Sequence, residues 1–361
     1  MKKNVLIIVV IAIALIGGLF FYKMGFKVGE NLSEKDQVTD VAQGENVQEN
    51  EKEEVEEKSN IKIFNGNERP IAFMIDNNVN AQPQASLNST YMVYEIIVEG
   101  NESRLMALFK GQDCDSVGPI RSSRHYFLDY AMENDAIYAH LGMSPQADEQ
   151  MKTFKINNIN GQAYDTGAAR TATSLYWRAT HKNAPHNAYT NIPSIKQIAK
   201  DKGYSLTSEQ DSVLNYVEEE VVLDGEGALV ANTITIPYSS NHKVRYEYDE
   251  ETGRYTRYSK GRMMKDEVTG EKVTTKNIIV TFAENYTLND GENKGRQDVV
   301  TVGSLDGYYI TNGKAIKIKC NKESRSAQTQ YVDLEGNEIK VNDGNTWVNV
   351  CPIDANVTIA E

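Results

Sequence analysis

The sequence predicts an α+β protein: a mixed α/β N-terminal domain, then a mainly antiparallel β C-terminal domain, both behind one transmembrane helix. Three observations lead there. The chain opens on an unbroken apolar run, strands then alternate with helical spacings, and from about Val213 short strands recur between glycine turns.

Val5 to Tyr22 is an 18-residue run of apolar and small side chains behind Lys2 and Lys3. About 18 to 20 such residues cross the hydrocarbon layer as a helix. Lysines on a short N-terminal tail favour keeping that tail in the cytoplasm. Lys23 and Lys27 weaken this asymmetry without cancelling it. The rival is a cleaved signal peptide, which has a shorter apolar core and a small-residue cleavage site. Here Gly17-Gly18 is the only small pair near the end of the run. Residues 1–29 are therefore expected to be a single-pass anchor in the cell membrane, with the body on the extracytoplasmic side.

Residues 30–60 read as an acidic tether. Glu30 to Lys58 holds 11 acidic and 3 basic residues and no apolar periodicity, a composition that stays solvated and self-repelling. The formal charge of −13 over 361 residues argues against nucleic acid as a partner, because such binding needs a basic face. Much of that charge sits in the tether, so the rest is only mildly acidic.

Residues 61–208 form the expected α/β domain. Pro70 to Asp76, Tyr91 to Val98 and Arg104 to Phe109 read as strands, with Glu99-Gly100-Asn101 as a turn. Gly118-Pro119 precedes apolar residues at helical spacing, which predicts a helix over Ser122 to Glu133. Ala136 to Leu141 is a further strand, and Ser144-Pro145 opens a helix running to Phe154. Ser194 to Lys202 closes the domain as a last helix.

Residues 209–361 change grammar. Asn232 to Pro237, Lys243 to Asp249, Arg254 to Ser259, Asn277 to Phe282, Asp298 to Val302, Tyr308 to Thr311 and Ala315 to Cys320 read as strands. Turns such as Thr269-Gly270, Asp306-Gly307 and Asn312-Gly313 separate them, which implies an antiparallel sandwich or barrel-like sheet.

Of the three cysteines, Cys320 and Cys351 share the second domain and can bond only if their Cα atoms come within about 7 Å. Cys114 is left over. His181 and His186 stand five apart in a loop, and no cysteine pair has zinc-ligand spacing, so no metal site is expected. Nothing in the sequence calls for a cofactor.

The densest cluster of unusual residues runs from Asp76 to His140. In Gly118-Pro-Ile-Arg-Ser-Ser-Arg124 a turn leads to a helix start carrying Arg121, Ser122, Ser123 and Arg124. Unpaired backbone N–H groups and two guanidiniums there make an anion-binding corner. The competing role is a serine cap, with the arginines paired to Glu95 or Glu99. Asp76, Glu95 and Glu99 lie near strand ends, where two carboxylates at the correct separation serve as acid and base, or cap neighbouring loops. His140 ends an apolar strand and is either a general base, with serine as nucleophile, or a hydrogen-bonded structural residue. Arg170, Trp177 and Arg178 precede Pro185-His186-Asn187 in a long connection. With Tyr176 and Tyr189 they form either a ligand-facing patch or a satellite core.

At these residues the sequence resembles the YerB-like lipoprotein family of Gram-positive bacteria, whose domains have no assigned function. The resemblance rests on Arg69-Pro-Ile-Ala-Phe-Met-Ile-Asp-Asn77, Val93-Tyr-Glu-Ile-Ile-Val-Glu-Gly100, Arg104 and its strand, and Gly118-Pro-Ile-Arg-Ser-Ser-Arg124. Asp129, Ala136-Ile-Tyr-Ala-His140 and Asp343-Gly-Asn-Thr-Trp347 extend it over residues 65 to 355. It implies an exported, membrane-tethered, two-domain protein and carries over no activity. One departure is the missing lipid-accepting cysteine after the apolar run, for which a peptide anchor would substitute.

The reading is an extracytoplasmic envelope protein whose first domain binds an anionic ligand, such as a cell-wall polymer fragment. Arg104, Arg121, Ser122, Ser123, Arg124, Arg170 and His186 are the candidate contacts. A hydrolase of glycan, peptide or phosphodiester is the alternative, using Asp76, Glu95 or Glu99 with His140. A third reading has the tether present the β domain to an envelope protein partner.

Overall fold

The structure is a computed structural model that describes residues 61–361 apart from residue 226. The expected anchor over Val5–Tyr22 and the acidic tether lie outside the described residues. Among the described residues no helix is long and apolar enough to cross a membrane.

One sheet of 11 strands organises the body. The first half supplies β1 (Ile71–Asp76), β2 (Met92–Ile97), β3 (Ser103–Phe109), β4 (Ile137–His140) and β5 (Asn158–Asn160). The second half begins with β6 (Thr233–Pro237), β7 (Lys243–Asp249) and β8 (Arg254–Ser259), which belong to another sheet. It then gives the large sheet β9 (Asn277–Ala283), β10 (Gly303–Thr311), β11 (Lys314–Lys322), β12 (Gln330–Val332) and β13 (Thr346–Pro352). The order is β12-β11-β10-β9-β13-β2-β3-β1-β4-β5, with Leu229–Val230 pairing on β11. The sequence boundary at 208/209 therefore divides the chain but not the sheet, and residues 61–361 belong to one compact unit.

The seam between the halves is β13. It runs parallel to β2 on one side, with Val93 opposite Trp347, and parallel to β9 on the other, with Ile278 opposite Trp347. All seven of its residues are buried. A parallel strand covered on both faces is normally a continuous apolar run, and β13 departs from that only at its ends and at Asn349. The Asn349 side chain accepts from the Tyr246 hydroxyl at 3.1 Å and the Tyr238 hydroxyl at 3.3 Å, so its burial leaves that oxygen paired.

The smaller sheet has six antiparallel strands, with β8, β7, β6 and β14 (Thr358–Ala360) in that order and two short segments on β8. Ile234 and Ile236 on β6, and Val244 and Tyr246 on β7, are buried between more exposed neighbours. One face therefore joins the common core and the other meets water.

Three helices complete the body: α1 (Phe127–Glu133), α2 (Pro145–Thr153) and α3 (Ile192–Asp201). Ser144 caps α2 as expected, accepting from the Ala147 N–H. For α3, Asn191 is the cap, so the helix starts before Ser194. The helix expected from Ser122 begins only at Phe127. Residues 120–123 are instead extended, with Ile120 bridging Ile75 and Ser123 bridging Met143. Sheet pairing outcompetes local helical spacing there.

The open cysteine question also resolves. Cys320 and Cys351 are both free thiols, on β11 and β13, with β10 and β9 between them. Strands lie about 4.8 Å apart, so this separation of about 14 Å exceeds disulfide reach. Gly307 on β10 leaves a gap through which the Cys320 sulfur comes within 3.3 Å of the Thr281 hydroxyl.

Candidate functional site

The register of β1 and β3 sets Asp76, the last residue of one, beside Arg104 near the start of the other. The segment after Gly118-Pro119 runs along the end of β1. Asp76 N–H donates to the Pro119 carbonyl at 2.9 Å, and Arg121 N–H to that of Met74 at 2.8 Å. Gly118 is required there, because with φ +157° an added Cβ would lie 2.9 Å from the Ala188 carbonyl oxygen. That close passage also brings in the loop carrying His186.

These elements surround a cleft of about 430 Å³ lined by Asp76, Glu99, Arg104, Arg121, Arg124 and His186, among others. Asp76 is buried and accepts from the Asn78 N–H at 3.0 Å. Its other oxygen lies 2.7 Å from His186 Nδ1 and 3.2 Å from Arg121 Nε. Glu99 pairs with Arg124 Nε at 2.5 Å. Burial raises the Glu99 carboxyl, but the Arg124 hydrogen bond and charge outweigh it and hold the group below its ordinary value.

Arg104 differs from its neighbours. It is only 7% exposed and donates to the Ser122 carbonyl at 2.5 Å. No carboxylate among the described residues pairs with it. Burial, then the like charge of Arg124, lowers its guanidinium to about 10.

A hairpin of Asn285–Thr287 and Gln297–Val299 in the second half adds Lys294 and Arg296 to the same cleft. Arg296 pairs with Asp290 at 2.5 Å and Glu292 at 2.8 Å. Glu102 and Ser103 also line it. Neither the hairpin cations nor Glu102 is visible in local sequence, since only the folded sheet brings the hairpin to Arg104.

Other expected site residues lie elsewhere. Glu95 is fully buried in the middle of β2, where Arg257 Nη2 donates to one oxygen and Ser103 Oγ donates to the other at 2.5 Å. His242, also fully buried, lies 3.2 Å from Glu95 and 3.1 Å from Glu102. Burial opposes ionisation of Glu95, yet the Arg257 charge and His242 hold its carboxyl down at about 2. Burial lowers His242, but the two carboxylates overcome it and raise the imidazole above its ordinary value. The Arg257 guanidinium also lies 4.3 Å from the Trp347 ring centroid.

His140 is fully buried, with Nδ1 2.9 Å from the Gly142 carbonyl, and burial lowers its pKa. Ser122 Oγ donates to the Leu141 carbonyl at 3.0 Å. Ser123 is buried and accepts from the Tyr138 hydroxyl at 2.8 Å. Neither serine caps a helix. Arg170 is exposed and lies 4.4 Å over the Trp177 ring, away from the residues that line the cleft. Among the described residues no group of three or more His, Cys, Asp or Glu side chains is placed to hold a metal ion.

Fold and cleft together describe a two-segment, sheet-joined protein. The chain belongs to the family described as "Protein of unknown function (DUF3048)". Residues 58–205 match its N-terminal domain and residues 234–348 its C-terminal domain. It is 30% identical over 295 residues to "Putative lipoprotein YerB" of Bacillus subtilis (strain 168), covering 79% of this chain and 81% of the relative. The crystal structure of the Bacillus subtilis YerB protein matches it with a TM-score of 0.69 at 30% identity. That match covers 81% of this chain and 94% of the other.

The Glu95 network yields a stability prediction. Glu95→Ala leaves the Arg257 charge buried and unpaired, at a cost of about 3–5 kcal/mol in chemical denaturation. Because the folded-state pKa of Glu95 is depressed, its contribution is present above about pH 4.5 and lost as pH falls towards about 2. Glu95→Gln should therefore flatten the fall in stability over that window. An unchanged acid limb would contradict the assignment.

Proposed function

We propose that this is a membrane-anchored protein of the cell envelope whose cleft binds an anionic, wall-related ligand. The observation that carries the binding reading is the cleft's charge. Five cationic and three anionic side chains line it in a chain whose formal charge is −13. The buried Arg104 moreover lacks a carboxylate. A desolvated guanidinium with no carboxylate bonded to it is costly, and an incoming anion relieves that cost. The envelope reading draws support from the relative's name as a lipoprotein and from the apolar run over Val5–Tyr22.

Binding fits the side chains better than hydrolysis through Glu95 and His140. Both groups are fully buried, and neither lines the cleft. Asp76 and Glu99 remain at the cleft, each held against an arginine.

Two experiments test the proposal. Soluble anionic wall polymer titrated into the purified full-length protein should bind, and the Arg121→Ala/Arg124→Ala double variant should bind at least about tenfold more weakly, since each charge-assisted hydrogen bond contributes about 1.5–3 kcal/mol. Equal affinity with an unchanged circular dichroism spectrum removes the cleft from the account. Protease added to wall-stripped cells should digest the body while a cytoplasmic control survives. Survival of the body beside a digested surface marker would place it on the wrong side of the membrane.

A further inference from the structure

This inference rests on the anion-binding reading of the cleft and names the group bound there. We propose that the cleft takes a tetrahedral oxyanion, the phosphate of a phosphate ester, and that His186 enters the complex as a protonated ring donating through Nε2.

The donor pattern argues for that group. The Nε edges of Arg121 and Arg124 face the internal carboxylates of Asp76 and Glu99. Their Nη1 groups donate to the Pro185 carbonyl at 3.3 Å and the Ser123 carbonyl at 2.6 Å, while Arg104 Nη1 donates to that of Ser122. The Nη2 groups of all three arginines have no hydrogen-bond partner among the described residues. One guanidinium satisfies a carboxylate through two parallel bonds in one plane. Three separate Nη2 donors, from β3 and from the extended segment after Pro119, suit a group whose oxygens point in several directions. A phosphate ester has two or three such oxygens.

His186 supplies a fourth donor. Its Nδ1 lies 2.7 Å from Asp76, and its Nε2 has no partner among the described residues. With Nδ1 facing a carboxylate, Nε2 accepts when the ring is neutral and donates when it is protonated. An anion at Nε2 selects the protonated ring over the neutral one. The charged groups around the ring are Asp76 in contact, Arg121 on the same Asp76 oxygen, Arg104, Arg124, Glu99 and Glu102 within the cleft, and Lys294 and Arg296 from the hairpin. A second imidazole, His242, lies behind Glu102 and is fully buried.

The test is calorimetric titration of the full-length protein in neutral detergent, with sulfate, glycerol 3-phosphate and acetate as probes. Sulfate keeps its charge from pH 5.5 to 8, so any pH dependence belongs to the protein. The expected result is sulfate binding about tenfold tighter at pH 5.5 than at pH 8, with proton uptake, and acetate binding much weaker than either tetrahedral anion. His186→Gln should lose the pH dependence and keep the weaker affinity seen at pH 8. Vesicles of phosphatidylglycerol run beside glycerol 3-phosphate tell whether a lipid headgroup or a soluble ester is preferred. Acetate binding as tightly as sulfate overturns the ligand class. Sulfate binding that does not vary with pH, or that varies equally in His186→Gln, overturns the role of His186. Binding by no anion, in wild type and Arg121→Ala/Arg124→Ala alike, is the separate failure of the cleft reading.

Discussion

The parallel insertion of β13 between β2 and β9 holds the two halves in a single sheet. A central strand has both rows of backbone hydrogen-bonding groups buried, so it forms only when both neighbours are present. Here one neighbour comes from each half. Its apolar side chains, Trp347, Val348, Val350 and Cys351, then fill the common core, and each fully buried Val contributes on the order of 1.5–3 kcal/mol. Ion pairs join the same two halves: the buried pairs of Glu95 with Arg257 and Glu133 with Lys322 at 2.5 Å, and buried Asp129 with half-buried Arg325 at 2.6 Å. Such pairs add little net stability over apolar packing, but breaking one leaves an uncompensated charge. They disfavour any arrangement in which the halves dock differently.

The cleft follows from this joining. Its floor belongs to the first half, where the ends of β1 and β3 hold Asp76 beside Arg104. Its hairpin cations, Lys294 and Arg296, come from the second. Ser103 links cleft and seam directly, since its hydroxyl donates to Glu95 at 2.5 Å and lies 2.9 Å from His242. The buried network thus fixes the wall against which the cleft arginines stand. Crowding of Arg104, Arg121 and Arg124 opposes the folded state, and such local conflicts concentrate where a protein binds or reacts.

Much of the fold was legible because its signals are local. Alternation and apolar runs marked β1 to β3 and β6 to β8, and Ser144-Pro145 marked α2. The failures share a cause, which is pairing at a distance. The segment from Ile120 to Ser123 enters the predicted helix start yet is drawn into extended pairing, Ile120 with Ile75 and Ser123 with Met143. Asn349 interrupts the apolar pattern of β13, and its tyrosine partners lie on or beside the smaller sheet. The candidate site divides in the same way. Asp76, Arg104, Arg121 and Arg124 stood out as charges at strand ends and at a glycine-proline turn, and the fold gathers them. Glu95 looked similar, but its partner Arg257 lies on β8 and turns it into a structural group. No local pattern could attach the hairpin cations to a first-half cleft.

Residues 61–361 carry the family's two domains in sequence, and β13 closes them into one compact unit. Differential scanning calorimetry of the full-length protein in neutral detergent tests it most directly. A single unfolding transition is expected, with calorimetric and van't Hoff enthalpies in agreement. Two separable transitions, one for each half, would contradict it.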